Sequence, residues 1–272
     1  MTHALAPTKA VIMARGLGTR MRAPDAAAQL TEDQAKVAAS GVKAMIDVGR
    51  PFMDYLLSSL ADAGFTEVCL VIGPEHDAVR EYVCSLPASR LKVTTAIQAE
   101  PKGTADAVAA AESFAAGDRI LVLNSDNYYP AEVLAALREA PGSATVGFDR
   151  QALIAGSNIP AERISAFALM RTDSNRLTHI IEKPAPHDLA RYGATAAVSM
   201  NCWLFTPAIF DACRRVQPSP RGELEIVDAV RLALAGGEVF TVVPAAAGIL
   251  DIGSRGDIAA VAAALANVEV SL

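Results

Sequence analysis

Apolar and polar positions along this chain fall into short blocks of two kinds. The first is an almost unbroken apolar run of about five residues, as in Ala10-Val11-Ile12-Met13-Ala14, Val68–Ile72, Arg119–Leu123 and Ala144–Phe148. Such runs predict strands buried on both faces of a parallel sheet. The second has helical spacing. Pro51 opens a segment through Ala63 with Phe52, Leu56, Leu57 and Leu60 on one face and Gly64 closing it. Asp77–Leu86, Thr104–Ala116 and Ala131–Ala140 read as helices in the same way, and Leu91–Gln98 as a further strand. The alternation predicts an α/β fold whose sheet carries helices on both faces and binds ligands at the carboxyl ends of its strands.

Beyond Arg150 the texture changes. Ala166–Arg171 and Leu177–Glu182 flank Asp173-Ser174-Asn175 as a β-hairpin, and Ala197–Phe205 reads as one strand. Asp211–Val216 and Leu224–Ala235 are helical, Val239–Val243 is a strand, and Ile249–Gly253 precedes a last helix, Asp257–Asn267. No linker divides the chain. The reading is a single domain, 1–272, with one lobe over about 9–150 and an α+β lobe over about 151–272.

The first strand runs into Arg15-Gly16-Leu17-Gly18-Thr19-Arg20-Met21-Arg22. Glycines let backbone N–H groups approach a phosphate chain, and arginines neutralise its oxygens. The alternative is a tight strand-to-helix turn with no ligand. A dinucleotide fingerprint is excluded, because its third glycine falls on Met21, and so is a Walker loop, because no Gly-Lys-Ser/Thr follows. Ala23–Gly41 reads as a polar short helix, either a lid or a solvated surface helix. Val42–Val48 is a mostly apolar, strand-like segment with Lys43 near its start.

The 272 residues are 52% hydrophobic, enough for a substantial core, and carry a net charge of −6, which argues against nucleic acid or an anionic membrane as partner. No apolar run approaches the roughly 20 residues a bilayer requires. The opening MTHALAPTKA lacks a signal-peptide core, so a cytoplasmic protein is expected. Cys69, Cys84, Cys202 and Cys213 are irregularly spaced and read as buried thiols; the histidines, His3, His76, His179 and His187, are scattered.

Two acids bear on chemistry. Asp126 ends a strand, and Asp251 stands between Leu250 and Ile252, where a lone carboxylate is costly unless paired or bound to a cation. Each alone could be a capping or turn residue. Two carboxylates facing a glycine-arginine loop would suit magnesium, which takes one or two protein carboxylates together with substrate phosphates. Lys43 and Lys183 lie beside apolar residues and could hold phosphate or snorkel from an edge. Gln98 offers an amide donor and acceptor to a base edge, with Gly103 admitting a flat ring and Thr104 a helix cap. Glu182 and Asn201 could bond a polyol.

The ordered set GLGTRM, a lysine before an apolar stretch, QAEPKGTADA, LVLNSDN, IIEKP, MNCWLF, RGELEIVDAV and LDIGS resembles the nucleotidyltransferases that join a nucleoside triphosphate to a sugar 1-phosphate, over roughly Lys9–Leu265. The resemblance implies a Rossmann-like mixed, mostly parallel sheet with a sugar-binding lobe. It implies that Ala14, Gly16, Gly18 and Thr19 cradle the triphosphate with Arg20 on the departing pyrophosphate. Lys43 and Lys183 would hold phosphates, and Gln98, Gly103 and Thr104 would select the base. Asp126 and Asp251 would bind Mg²⁺, and Gly147, Glu182 and Asn201 would contact the sugar, with Glu223 and Asp228 helping to shape its site. A nucleoside triphosphate and a sugar 1-phosphate would be the substrates, and self-association is compatible with the family. A non-catalytic nucleotide-sugar-binding subunit is the reading of another class. Several features depart from the family pattern: Arg15 replaces a small residue, Lys43-Ala44 a Lys-Pro, Ser125-Asp126 a Gly-Asp. The stretch between Arg20 and Lys43 is long, and no tryptophan precedes Asp251.

Overall fold

In the first strand, β1 (Lys9–Met13), every residue from Ala10 to Met13 is buried, and alternate side chains enter different cores. Ala10 and Ile12 join one apolar cluster and Val11 and Met13 the other, which follows from the two-residue period of a strand covered on both faces. The computed structural model describes residues 6–87, 89–193 and 196–272. Met1–Leu5, and with them His3 and half of the opening decapeptide, lie outside the described residues.

The parallel block is β3-β2-β1-β4, formed by β2 (Glu67–Ile72), β3 (Lys92–Ile97) and β4 (Ile120–Asn124) around β1. A two-residue β5 (Asn127–Tyr128) follows, and then β6 (Ser143–Phe148), a hairpin of β7 (Leu169–Asp173) and β8 (Arg176–Ile181), and β9 (Ala197–Val198). The chain continues with β10 (Trp203–Phe205), β11 (Phe240–Ala245) and β12 (Leu250–Asp251). β10 lies antiparallel between β4 and β6, which makes the sheet mixed, and β11 returns parallel to β6. Helices Phe52–Asp62, Ala131–Arg138 and Asp257–Leu265 contribute to one core, and Thr104–Ala110, Ala208–Arg215 and Ile226–Ala235 to the other. Among the described residues no helix is long and apolar enough to cross a membrane.

Ser174 and Asn175 form the hairpin turn with φ of 50° and 62°, a conformation that asparagine tolerates better than most residues. Elsewhere three expectations need correction. Val42–Val48 is no strand: Lys43–Met45 is a single 3₁₀ turn, with Ile46 N donating to Lys43 O and Phe52 N to Ile46 O. Ala23–Gly41 is helical only over Glu32–Ser40, where Thr31 and Gln34 make a reciprocal capping box that fixes the start. Ala197–Phe205 is broken at Ser199–Cys202, because Asn201 takes a φ of 54° and turns the chain out of the sheet. The helices Arg150–Gly156, Ala161–Ile164 and Pro186–Tyr192 were not anticipated; all three are short, with little room for an apolar period to show. The four cysteines are free, and Cys84 is exposed rather than buried. Burial pushes the Cys69 thiol up to about 11, so it is inert at neutral pH.

Candidate functional site

Strand register brings the glycine loop and the first acid together. Met13 pairs with Asn124 across β1 and β4, and Ser125 N donates to Met13 O at 3.2 Å. Both loops therefore leave the sheet side by side at its carboxyl end. A short antiparallel ladder then recruits the second acid, with Leu250 opposite Tyr128 and Asp251 opposite Asn127, and Ile252 N donating to Asp126 O at 2.9 Å. This ladder is how two carboxylates far apart in sequence come to face one another.

Two cavities open here. The larger, about 350 Å³, is lined by Ala14, Gly16, Gly18, Thr19, Lys43, Gln98, Gly103, Thr104 and Asp126, and also by Arg15 and Glu223. The smaller, about 150 Å³, is lined by Arg20, Asp126, Arg163, Glu182, Ser199 and Asp251 among others. Asn124, Asp126 and Asn201 belong to both linings, so the cavities meet at Asp126.

Backbone conformation shapes the larger cavity. Gly18 has a φ of 61°, and a methyl group there would meet Gly41 O at 2.5 Å, so the loop rests directly on the end of helix Glu32–Ser40. Gly103 has a φ of 125°, and a methyl there would meet Leu224 O at 2.5 Å. Around it Ala105 N donates to Leu224 O, Leu224 N to Lys102 O and Ile226 N to Thr104 Oγ1, at 2.8, 2.7 and 2.8 Å. Thr104 thus ties RGELEIVDAV to the cavity, and Glu223 reaches its lining. Asp228 does not; it accepts from Arg231 at 2.6 Å on the helix behind.

The loop arginines divide. Arg22 donates through Nε and Nη2 to Ser40 O at 3.1 and 2.7 Å, capping the neighbouring helix rather than facing a phosphate. Arg15 turns to Glu75, with Nη2 to Oε2 at 3.2 Å, and its Nη1 donates to the main-chain carbonyl of Gln98. The carboxylate that Arg15 answers is the chain's own. Among the described residues Arg20 has no hydrogen-bond or ion-pair partner, which leaves its charge to the smaller cavity. Arg255 Nε in turn donates to Met21 O at 2.9 Å and links the short helix Thr19–Arg22 to the segment that follows Asp251.

Gln98 is buried and its amide nitrogen is committed to Gly103 O and Asp106 Oδ2, at 3.0 and 2.8 Å. The side-by-side donor and acceptor expected of it therefore reduces to its carbonyl oxygen.

Asp126 and Asp251 are each held by a cation. Lys43 Nζ lies 2.9 Å from Asp126 Oδ2, and Arg163 Nη2 2.6 Å from Asp251 Oδ2. Asp251 also accepts from Asn127 Nδ2 at 2.9 Å, and its backbone exchanges two hydrogen bonds with the Asn158 amide, both at 2.8 Å. Burial raises the pKa of Asp251 above the usual carboxylate value, and the facing Asp126 raises it further, against Arg163 and Lys43. Two acids that repel each other across an open cavity form a donor set suited to a divalent cation with phosphate completing its shell. Among the described residues no cluster of three or more metal-ligating side chains occurs, so oxygens from a substrate would have to contribute.

Glu182 is pushed above the usual carboxylate range by burial and by Glu225, against Arg221, Lys183 and Arg231. Asn201 accepts from Trp203 Nε1 at 3.4 Å. Two expected residues stand apart. Gly147 lines neither cavity: it lies inside β6, where a methyl would meet Val242 Cγ1 at 2.5 Å, so its smallness serves strand packing. Lys183 is exposed and also lines neither cavity.

Sequence reasoning missed Arg163, Asn127, Asn158 and Ser199. Asn127 stood in the quoted LVLNSDN and could have been read as a partner for a buried acid. Arg163 lies in a short helix with no pattern to mark it.

Residues 9–268 match the family described as nucleotidyl transferase. The chain is 31% identical over 252 residues to a UTP–glucose-1-phosphate uridylyltransferase of Haloferax volcanii, covering 90% of this chain and 91% of that one. It is 29% identical to a glucose-1-phosphate thymidylyltransferase of Streptomyces griseus, over 84% of this chain but 58% of that longer protein. A solved UDP-glucose pyrophosphorylase in complex with UDP-glucose shares the fold with a TM-score of 0.74 at 16% identity, covering 96% of this chain and 99% of that one. A match that runs almost end to end, on a mixed sheet with paired acids beside a glycine-arginine loop, makes this chain a member of the nucleotidyl transferase family.

Proposed function

We propose that the chain transfers a nucleoside monophosphate from a nucleoside triphosphate to a sugar 1-phosphate or a sugar-like cyclitol phosphate, releasing pyrophosphate, with Mg²⁺ as its metal. The observation that carries this reading is the meeting of the two cavities at Asp126. A triphosphate in the larger cavity and a phosphate monoester in the smaller one would present their reacting atoms to one another there.

The loop from Ala14 to Thr19 offers backbone donors to the triphosphate, and Arg20 neutralises the departing pyrophosphate. Gln98, Gly103 and Thr104 form the base end, where the Gln98 side-chain oxygen accepts from an imide N–H of uracil or thymine; the named relatives are a UTP–glucose-1-phosphate uridylyltransferase and a glucose-1-phosphate thymidylyltransferase, which supports that preference over GTP or CTP. Asp126 and Asp251 would hold the metal, which would supply neutralisation of phosphate charge. Lys43, 2.9 Å from Asp126, is placed to transfer from the carboxylate to a phosphate oxygen once the acids have another cation. Glu182 and Asn201 orient the acceptor, and Lys183 would reach its phosphate by moving inward from the surface.

The acceptor's phosphate oxygen then attacks the α-phosphorus in line with the leaving pyrophosphate. No covalent enzyme intermediate is required, so the work of the site is positioning and neutralisation. Nucleoside triphosphates place this chemistry in the cytoplasm. Self-association is compatible with the reading and not needed by it.

The experiment is incubation with each of the common nucleoside triphosphates against a panel of sugar and cyclitol 1-phosphates under Mg²⁺, following pyrophosphate. Release with at least one pair is expected. Silence with every pair would defeat the reading.

A further inference from the structure

Between β9 and β10 the chain leaves the sheet over Ser199–Cys202, and the excursion is pinned along its length. Ser199 N donates to Ala168 O at 2.8 Å, Tyr129 Oη to Met200 O at 2.5 Å, and Thr145 Oγ1 to Cys202 O at 2.9 Å. The root of the Ser199 side chain is therefore fixed.

Ser199 is 5% exposed, and among the described residues its Oγ has no hydrogen-bond partner while being shut off from solvent. A buried hydroxyl without a partner destabilises a fold, and native structures keep few of them. Alanine would fill the same space without that penalty, so packing does not account for the oxygen. The residue lines the smaller cavity together with Glu182, Asn201 and Arg20, and since the backbone is pinned, a change of rotamer about Cα–Cβ is the motion that would present the enclosed oxygen to a ligand there. A serine hydroxyl turns about one bond and can both donate and accept, which matches the hydroxyls of a polyol. The cavity, about 150 Å³ and walled on its apolar side by Phe167 and Met200, suits one small ring rather than an oligosaccharide.

We propose that the Ser199 hydroxyl is a specificity group of the acceptor pocket, hydrogen-bonding one ring hydroxyl of a polyol phosphate and selecting against acceptors that lack it. This rests on the sugar-phosphate reading above. A ligand hydroxyl supplies the partner that the fold withholds, so the oxygen is a liability without acceptor and an asset with it.

The test uses whichever of glucose, galactose, mannose and myo-inositol 1-phosphate gives the highest kcat/KM with the full chain, together with its set of monodeoxy analogues. In the parent, one analogue should lose about 10-fold in kcat/KM relative to the full acceptor. In Ser199→Ala that loss should vanish, the nucleotide KM should stay unchanged, and the acceptor-free protein should melt at or above the parent temperature. Deoxy penalties equal in parent and Ser199→Ala would overturn the proposal, as would a melting temperature several degrees lower, which would show a structural partner for the hydroxyl. If the parent turns over no acceptor at all, the proposed function itself fails and takes this inference with it.

Discussion

The two cavities are built from different materials. The larger is a product of backbone geometry: glycines at Gly18 and Gly103 in left-handed conformation, each pressed against another segment's backbone, and loops fixed by main-chain hydrogen bonds. At the smaller, side chains answer one another: Arg163 pairs with Asp251, and Asp126, which both cavities share, pairs with Lys43 from the larger. The first can receive a ligand with little rearrangement. In the second both carboxylates are already paired while Arg20 stands without a partner among the described residues, so under the proposed function a cation would enter by exchange, taking the carboxylates and leaving the lysine and arginine available to negative charge. Buried carboxylates left without any cation would be costly, and this exchange avoids that state at every stage.

The contrast can be tested by damage to each side, beginning with the largest effect. Asp126→Ala and Asp251→Ala, measured by pyrophosphate release, should each lower kcat by about two to three orders of magnitude while leaving nucleotide affinity within a few-fold. Full activity in either variant would remove the acids from the chemistry. Chelation of divalent ions should have the same effect on the parent and be reversed by Mg²⁺.

Gly18→Ala should injure the other side in the opposite manner. The left-handed backbone alone disfavours alanine by about 1–2 kcal/mol, and the methyl group must also displace the Gly41 carbonyl, so a lower melting temperature and a nucleotide KM raised by about 10-fold are expected. A variant as stable as the parent would mean that the loop does not rest where it is described. Arg15→Ala should be milder. It frees Glu75 and the main-chain carbonyl of Gln98, loosening the residue whose side chain stands at the base end, and a rise of about 3-fold in nucleotide KM with unchanged kcat is expected from steady-state kinetics.

The smallest effect concerns Glu182, whose pKa is raised by burial and by Glu225. A carboxyl raised above its unfolded value binds its proton more tightly in the fold. Its favourable contribution is therefore complete below the unfolded value and lost as pH rises through the folded one. Glu182→Gln should equal or exceed the parent in thermal stability at neutral pH, by about one or two degrees, and lose that advantage in acid. Thermal melts at two pH values decide the matter.

Much of the fold was legible because strands buried on both faces write themselves as unbroken apolar runs, as in Val68–Ile72. The positions of Asp126 and Asp251 were legible for a related reason: an acid within an apolar stretch must have a partner. What the sequence could not display was which partner. Arg163, which holds Asp251, lies in a four-residue helix with no period to reveal it, and nothing in the sequence separates Arg22, which donates to the Ser40 carbonyl, from Arg20, which is left to the cavity. The break at Ser199–Cys202 was hidden as well, since Met200, Cys202 and Trp203 carry an apolar signal through a segment whose backbone leaves the sheet. Gly147 was assigned to the sugar site by resemblance alone, and what the structure adds is a packing reason for its smallness, the contact with Val242.

The claim that joins these parts is that acceptor and nucleotide meet directly at Asp126, each in its own cavity, with attack in line on the α-phosphorus. The stereochemical course at that phosphorus tests it most directly. With a nucleoside α-thiotriphosphate of defined configuration and the acceptor that the parent uses, a single in-line displacement predicts inversion in the nucleotide-sugar product. Retention would require two displacements and a covalent enzyme intermediate, and would contradict the account.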